Sequence, residues 1–251
     1  MGHTLSRNTI IGIPIGPNNT LKSMLMDGGE SPPPLDDDMG RRLFKIRAAN
    51  SSGLRSSANI LIHRMYATRG YQSSGVADEQ TADRITLTAS DADVVVGTIT
   101  IGFDSGSGLL VDELFHREIA DLRRRGLALC EFTKLAMDSV MRSRRVLASL
   151  FHVAYIYAHR MRGFDFLLIE VNPRHVRYYE RMLGFVAKGP ERLNPRVNAP
   201  AVLMALDFNH AREQIDTLGG RPDVAADERS LYPHFFSLKE EAGILARLSG
   251  R

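Results

Sequence analysis

This chain of 251 residues has one cysteine, no long apolar run, and no proline between Leu35 and Asn172. The lone Cys130 cannot close an internal disulfide, and without a cysteine cluster there is no thiolate zinc site to consider. Both facts suit a reducing compartment, so a cytoplasmic location is expected. Free cysteines are usually buried as small hydrophobes, and that reading outweighs a nucleophilic role for Cys130. No segment approaches the roughly eighteen apolar residues needed to cross a bilayer, so stable membrane insertion is not expected. The apolar stretch Ile10 to Ile15 is broken by Pro14 and lacks both a basic cluster and a cleavage site, so no signal peptide is read there. The proline-free stretch permits continuous helices and central strands.

Hydrophobic residues make up 43% of the chain, enough for a substantial core. The formal charge is only +3, but Asp121 to Arg181 holds twelve basic against six acidic side chains. Such a local field favours an anionic partner, whether a phosphate, an acidic protein or nucleic acid.

Residues 1–40 differ from the rest. Pro32, Pro33 and Pro34 precede Asp36, Asp37 and Asp38, and so polar a stretch reads as a flexible acidic, proline-rich arm. Strands are expected at Arg41–Ala49, Arg84–Ala89, Asp93–Phe103, Leu129–Met137, Phe164–Val171 and Val202–Phe208. Helices are expected at Ser51–Tyr66, Val111–Arg125, Val146–Arg162 and in the Asn172–Phe185 unit, with Gly126 and Gly184 as left-handed caps. Arg123 to Arg125 fall where cations favour the helix dipole. In the Leu129 strand, alternation puts Glu131, Thr133, Leu135 and Met137 on one face and Cys130, Phe132, Lys134 and Ala136 on the other. The order predicts an α/β protein with a mixed central sheet and helices on both faces. The strands joined by the Val146 helix should be parallel, through a right-handed crossover. Residues 41–208 form the domain, and 209–251 read as a helical or partly ordered tail.

The junction of the Leu129 strand with the Val146 helix draws attention. A helix N-terminus after a strand offers unpaired N–H groups and a positive dipole end. Arg142, Arg144 and Arg145 add charge suited to phosphate oxygens. Ligands in such sheets bind at the carboxyl ends of strands, where Asn172 also falls.

The string IEVNPRHVRYYERMLGF, Ile169 to Phe185, looks like the end of the GNAT acyltransferase pattern. With CEFTKLAMD (Cys130 to Asp138) and RSRRVLASLF (Arg142 to Phe151), it resembles the bacterial N-acyl amino acid synthases, including the long-chain N-acyl tyrosine synthases. CEFTKLAM is also similar to the matching strand of acyl-homoserine lactone synthases. The resemblance spans roughly Arg41 to Phe208 and implies a GNAT-like fold. It implies an acyl thioester donor carried on acyl carrier protein, an amino acid acceptor, and no metal or bound cofactor. Phosphopantetheine would enter between the Leu129 and Phe164 strands. Its phosphate would meet Arg142, Ser143, Arg144, Arg145 and Val146. Acetyl-CoA enzymes wrap pyrophosphate with a glycine-rich turn. RSRRVLAS has no glycine, which favours a single carrier-bound phosphate over a CoA thioester.

The acceptor amine must lose a proton before it attacks. Glu131, beside the expected thioester, is the first choice as base, since the resemblance to homoserine lactone synthases places a functional Glu there. Thr133 can hydrogen-bond substrate or pack. Lys134 points away by alternation, and N–H groups around Met137 can serve an oxyanion. The resemblance points to Tyr179 as proton donor to the thiolate, although Tyr179 also fits an apolar stripe. Asn172 reads as a helix cap first and a ligand second. Arg64 and Tyr66 lie where this family lines its acyl or acceptor site. His152 and His159, seven apart on a helix, lack the close pairing of a metal site. Other readings are a homoserine-lactone-type synthase, a CoA-dependent N-acetyltransferase, and a non-catalytic acyl- or carrier-binding regulator. No motif supports a nucleic-acid partner.

Overall fold

A computed structural model describes residues 9–15, 42–72, 81–138 and 143–250. Its strands are β1 (Thr9–Ile15), β2 (Arg42–Ala48), β3 (Arg84–Asp91), β4 (Val94–Phe103), β5 (Leu129–Met137), β6 (Phe166–Val171), β7 (Val186–Ala187), β8 (Arg192–Asn194) and β9 (Ala199–Asp207). They run in the order β1-β2-β3-β4-β5-β6-β9-β7, with β8 paired to β9. The helices are α1 (Ser52–Ala67), α2 (Asp112–Arg124), α3 (Arg144–Tyr155), α4 (Val176–Leu183), α5 (Phe208–Leu218) and α6 (Leu238–Ser249). The fold is α/β with a mixed sheet. Among the described residues no helix is long and apolar enough to cross a membrane.

Local chemistry explains the element ends. Ser51 caps α1 by accepting from Leu54 N–H at 3.3 Å. Gly184 takes the left-handed φ of +80° that closes α4. Arg123 does more than complement a dipole: it forks between Asp104 and Asp112, at 2.7 and 2.6 Å, and ties the loop before α2 to its last turn.

Among the described residues the only parallel pair is β5 with β6, joined through α3. The ladder holds Leu129↔Phe166, Cys130↔Leu167 and Glu131↔Leu168 and then ends, although both strands continue. On its other side β5 stays with β4 by means of a bulge. Thr100 pairs with Thr133 and Thr98 with Ala136, so three residue steps on β5 oppose two on β4. Lys134 absorbs the extra residue at φ +52°, and its carbonyl accepts from Thr98 Oγ1 at 2.8 Å.

The bulge corrects the expected alternation. Cys130 and Phe132 pack in the large core with α3, and Met137 joins them there. Ala136 packs instead with Leu61, Ile62 and Met65 of α1. An inserted residue switches every later side chain to the opposite face, so Met137 does not share a face with Glu131 and Thr133.

Two further differences concern the ends of the chain. Within the expected 1–40 arm, Thr9–Ile15 forms edge strand β1 on β2, with Ile10, Ile11 and Ile13 buried. The remainder of that arm, with its prolines and aspartates, lies outside the described residues. Residues 209–251 supply α5 and α6, with Leu231, Tyr232, Phe235, Phe236, Ile244 and Leu248 in the core. They cover the face of α3 opposite the sheet, so Val146 through Tyr155 are all buried rather than one stripe. Past Tyr155 the helix widens into a π-helical stretch, Ile156–Met161.

His152 joins this segment to α3. Its ring stacks on Phe235 and Phe236, and Nδ1 accepts from Phe236 N–H at 2.9 Å. The proton therefore sits on Nε2, 3.1 Å from Glu241 Oε2, while Glu241 Oε1 meets Arg160 at 2.9 Å. Burial is the main cause that lowers the His152 pKa below 6.5 and outweighs the Glu241 contact. For Glu241 burial pushes upward, but His152 and Arg160 together bring it below 4.5. Both folded values are depressed, so the stability they contribute is present above the unfolded values. It is lost as pH falls, first below 6.5 through His152 and then below 4.5 through Glu241. His152→Ala should cost about 3 kcal/mol in urea unfolding at neutral pH. Its stability should also fall less steeply than the parent's on mild acidification.

Candidate active site

Where β5 and β6 part, a cavity of about 260 Å³ opens. It runs through the sheet, because side chains of both faces line it. Leu167 and Ile169 pack on the α3 side, whereas Leu168 packs with Phe115 of α2. Alternation then puts Glu170 on the α2 side. The α3 side of the cavity is apolar, with Phe132, Leu147, Phe151 and Ile169. The opposite side carries polar groups, Thr133, Glu170, Asn194 and Arg196, beside the apolar Leu110 and Ala201. Lys134 stands at the bulge between them, and burial lowers its pKa.

The structure brings Tyr66, Thr133, Lys134, Met137, Asn172 and Tyr179 together around this cavity. Burial pushes the phenols of Tyr66 and Tyr178 up to about 12 and that of Tyr179 higher still, so each holds its proton at neutral pH. Asn172 is a cap, its Oδ1 accepting from Arg174 N–H at 3.3 Å, and also a cavity residue. Arg64 is directed elsewhere: more than half exposed, it pairs with Asp138.

Ser143, Arg144, Arg145 and Val146 form the start of α3, outside the cavity lining. Ser143 caps the helix by accepting from Val146 N–H at 3.4 Å, which occupies one of the free N–H groups. Burial lowers the pKa of His234 and the charges of Arg144 and Arg145 lower it further, while Arg144 opposes the rise that burial gives Tyr178. Arg142 lies outside the described residues.

Glu131 is also absent from the cavity lining. Its side chain is 1% exposed, Oε1 accepts from Leu110 N–H at 3.0 Å, and Oε2 from Val111 N–H at 3.1 Å. Burial raises its pKa against the pull of those two N–H groups. Both oxygens thus hold the loop entering α2. A second cavity on this face, also about 260 Å³, meets Glu131 beside Arg84, Thr86 and Thr100. Gly102 makes room for the carboxylate, since a Cβ there would lie 2.8 Å from its Oε1.

Glu170 is the residue that sequence reasoning missed. It is the one charge near the carboxyl end of an otherwise apolar central strand, which is itself a signal. Oε2 accepts from Asn194 Nδ2 at 2.9 Å and from Arg196. Oε1 is buried with no hydrogen-bond partner among the described residues. Burial raises its pKa more than Arg196 lowers it.

This is a GNAT-like acyltransferase fold, with a cavity between two diverging parallel strands. The chain belongs to the family described as N-acyl amino acid synthase FeeM, whose model matches residues 57–207. Among solved structures it is similar to FeeM, an N-acyl amino acid synthase from uncultured soil microbes. That match has 28% identity and a TM-score of 0.60, covering 68% of this chain and 93% of that one. The AHL synthase LasI matches at 11% identity and TM-score 0.48, covering 67% of this chain and 91% of its own. An acyl-CoA N-acyltransferase from Pseudomonas aeruginosa matches at 15% and 0.47, covering 64% and 97%. A comparison with curated proteins finds no match.

Gly102→Ala should displace the Glu131 carboxylate and release the 110–111 loop. A loss of about 1–3 kcal/mol in denaturant unfolding is expected.

Proposed function

We propose that this acyltransferase moves an acyl chain from a carrier-protein thioester to the amine of an amino acid, giving an N-acyl amino acid. The observation that carries the reading is the two-sided cavity, apolar towards α3 and carrying Thr133, Glu170, Asn194 and Arg196 towards α2. An acyl chain gains by burial among Phe132, Leu147, Phe151 and Ile99, at about 25 cal/mol per Å². The polar side suits an amine that must be oriented and deprotonated. The name borne by the FeeM structure supports the same acceptor class.

Beyond Glu131 and Leu168 the facing edges of β5 and β6 carry no ladder bonds with each other. Pantetheine amides inserted there would find backbone partners, and an N–H of β5 would meet the tetrahedral oxyanion. The thiolate leaves when the C–S bond breaks, and Tyr179 would supply its proton, a role supported by its place in the cavity lining and by burial, which raises its pKa. Ser143, Arg144 and Arg145 would receive the phosphate at the start of α3. The absence of a glycine-rich turn there favours a single phosphate, and the arginines favour an acidic carrier.

Four measurements test this. Lipid extracts of a bacterial host expressing the chain should contain new N-acyl amino acids by mass spectrometry, and their masses name chain and acceptor. Their absence at good soluble expression would count against the acceptor class. Arg144→Ala combined with Arg145→Ala should raise KM for carrier thioester about tenfold at low salt with kcat little changed, the difference shrinking as salt is added. Equal efficiency with CoA thioesters would overturn the carrier assignment. Leu147→Trp should shift products towards shorter acyl chains by filling the apolar side.

A further inference from the structure

Two carboxylates, Glu131 and Glu170, face the α2 side near the point where the central strands part, and their surroundings differ. Glu131 already accepts two backbone N–H groups, one on each oxygen. Glu170 is held from one side only. Asn194 and Arg196 both engage Oε2, and Oε1 is left buried in the polar wall of the cavity. A buried carboxylate oxygen without a donor is costly, and it is completed by a bound water, an ion or a ligand's donor group.

The holding groups are themselves braced. Arg196 also meets Glu113 at 2.5 Å and the Leu110 carbonyl at 2.9 Å. Arg192, at the start of β8, grips Glu118 of α2 through two hydrogen bonds of 2.7 and 2.9 Å. The short β8 strand is thereby clamped to α2, and its Asn194 reaches back to Glu170. The carboxylate is fixed in direction before any substrate arrives, as a base that acts without reorganisation requires.

Resting on the acyl-transfer reading, we propose that Glu170, rather than Glu131, is the catalytic base, its Oε1 binding the acceptor's ammonium group and taking a proton from it. The neutral amine then attacks the thioester carbonyl carbon. A C–N bond forms, the C–S bond breaks, and the electron pair leaves on sulfur. A second nitrogen proton is lost as the amide forms and balances the thiolate. The proton held by Glu170 returns to solvent before the next turnover. Burial raises the pKa of Glu170, which moves its proton affinity towards that of the amine. The base-dependent rate should fall as pH drops through that raised value.

The experiment uses the full chain with an acyl carrier thioester, and compares an amino acid acceptor with hydroxylamine, a nucleophile already neutral near pH 7. The parent should acylate both. Glu170→Gln should lower kcat for the amino acid roughly a hundredfold or more, keep most of the hydroxylamine rate, and lose the acidic limb of the pH profile. Glu131→Gln should keep the parent's ratio between the two acceptors. If Glu170→Gln retains the parent's amino acid rate, or loses both acceptors equally, Glu170 is not the base. If Glu131→Gln alone shows the selective loss, the base is Glu131. Glu170→Gln with Arg196→Gln removes the charge from both sides of the pair and gives the same comparison should the single variant not fold. A parent that acylates no amine overturns the acyl-transfer reading, and the base assignment falls with it.

Discussion

The parallel ladder between β5 and β6 lasts for three residue pairs, and the cavity exists because it stops there. Parallel strands in a buried sheet normally continue together, since each unpaired N–H or C=O in the interior costs free energy. Here β5 follows β4 instead, through a bulge at Lys134. A non-glycine residue in the left-handed region costs roughly 1–3 kcal/mol, and the cost is offset where β4 and β5 resume pairing beyond it. The bulge also returns Met137 to the α3 side, so that Phe132 and Met137 close the apolar wall together.

That opening requires rigid surroundings. On one side α3 is enclosed by sheet and C-terminal segment, with His152 held by Phe235, Phe236 and Glu241. On the other, arginines act as braces: Arg123 across the loop before α2, Arg192 from β8 to α2, and Arg196 between Glu113 and Glu170. Several of these pairs are partly buried and share partners, the situation in which ion pairs fix geometry more than they add stability. The α3 wall is therefore shaped by packing and the α2 wall by directed polar contacts. An acyl chain needs volume without direction, whereas an amine needs a defined angle of approach.

Glu131 and Glu170 show how burial alone does not assign chemistry. Burial raises the pKa of both, and both sit on the sheet's two central strands, Glu131 near the start of β5 and Glu170 near the end of β6. Hydrogen-bond accounting separates them. One carboxylate has each oxygen committed to a backbone N–H, and the other, in the cavity wall, keeps one buried oxygen without a donor among the described residues.

Periodicity and turn chemistry in the sequence determined most of the elements. The β5 strand was legible to the residue, and α1, α4 and the Gly126 and Gly184 caps followed from apolar spacing and positive-φ glycines. The motifs around Cys130, Arg142 and Ile169 indicated the family, because local segments there carry its pattern. Tertiary structure decided the rest. The bulge at Lys134 depends on register with β4, which no pattern within β5 encodes. Residues 9–15 became a strand because β2 offered an edge, and the charged tail became helices with buried faces because α3 offered an apolar one. Glu131 and Glu170 changed places as candidates for the same physical reason. A carboxylate's role depends on which donors reach it, and these came from Leu110, Val111, Asn194 and Arg196, all distant in the chain.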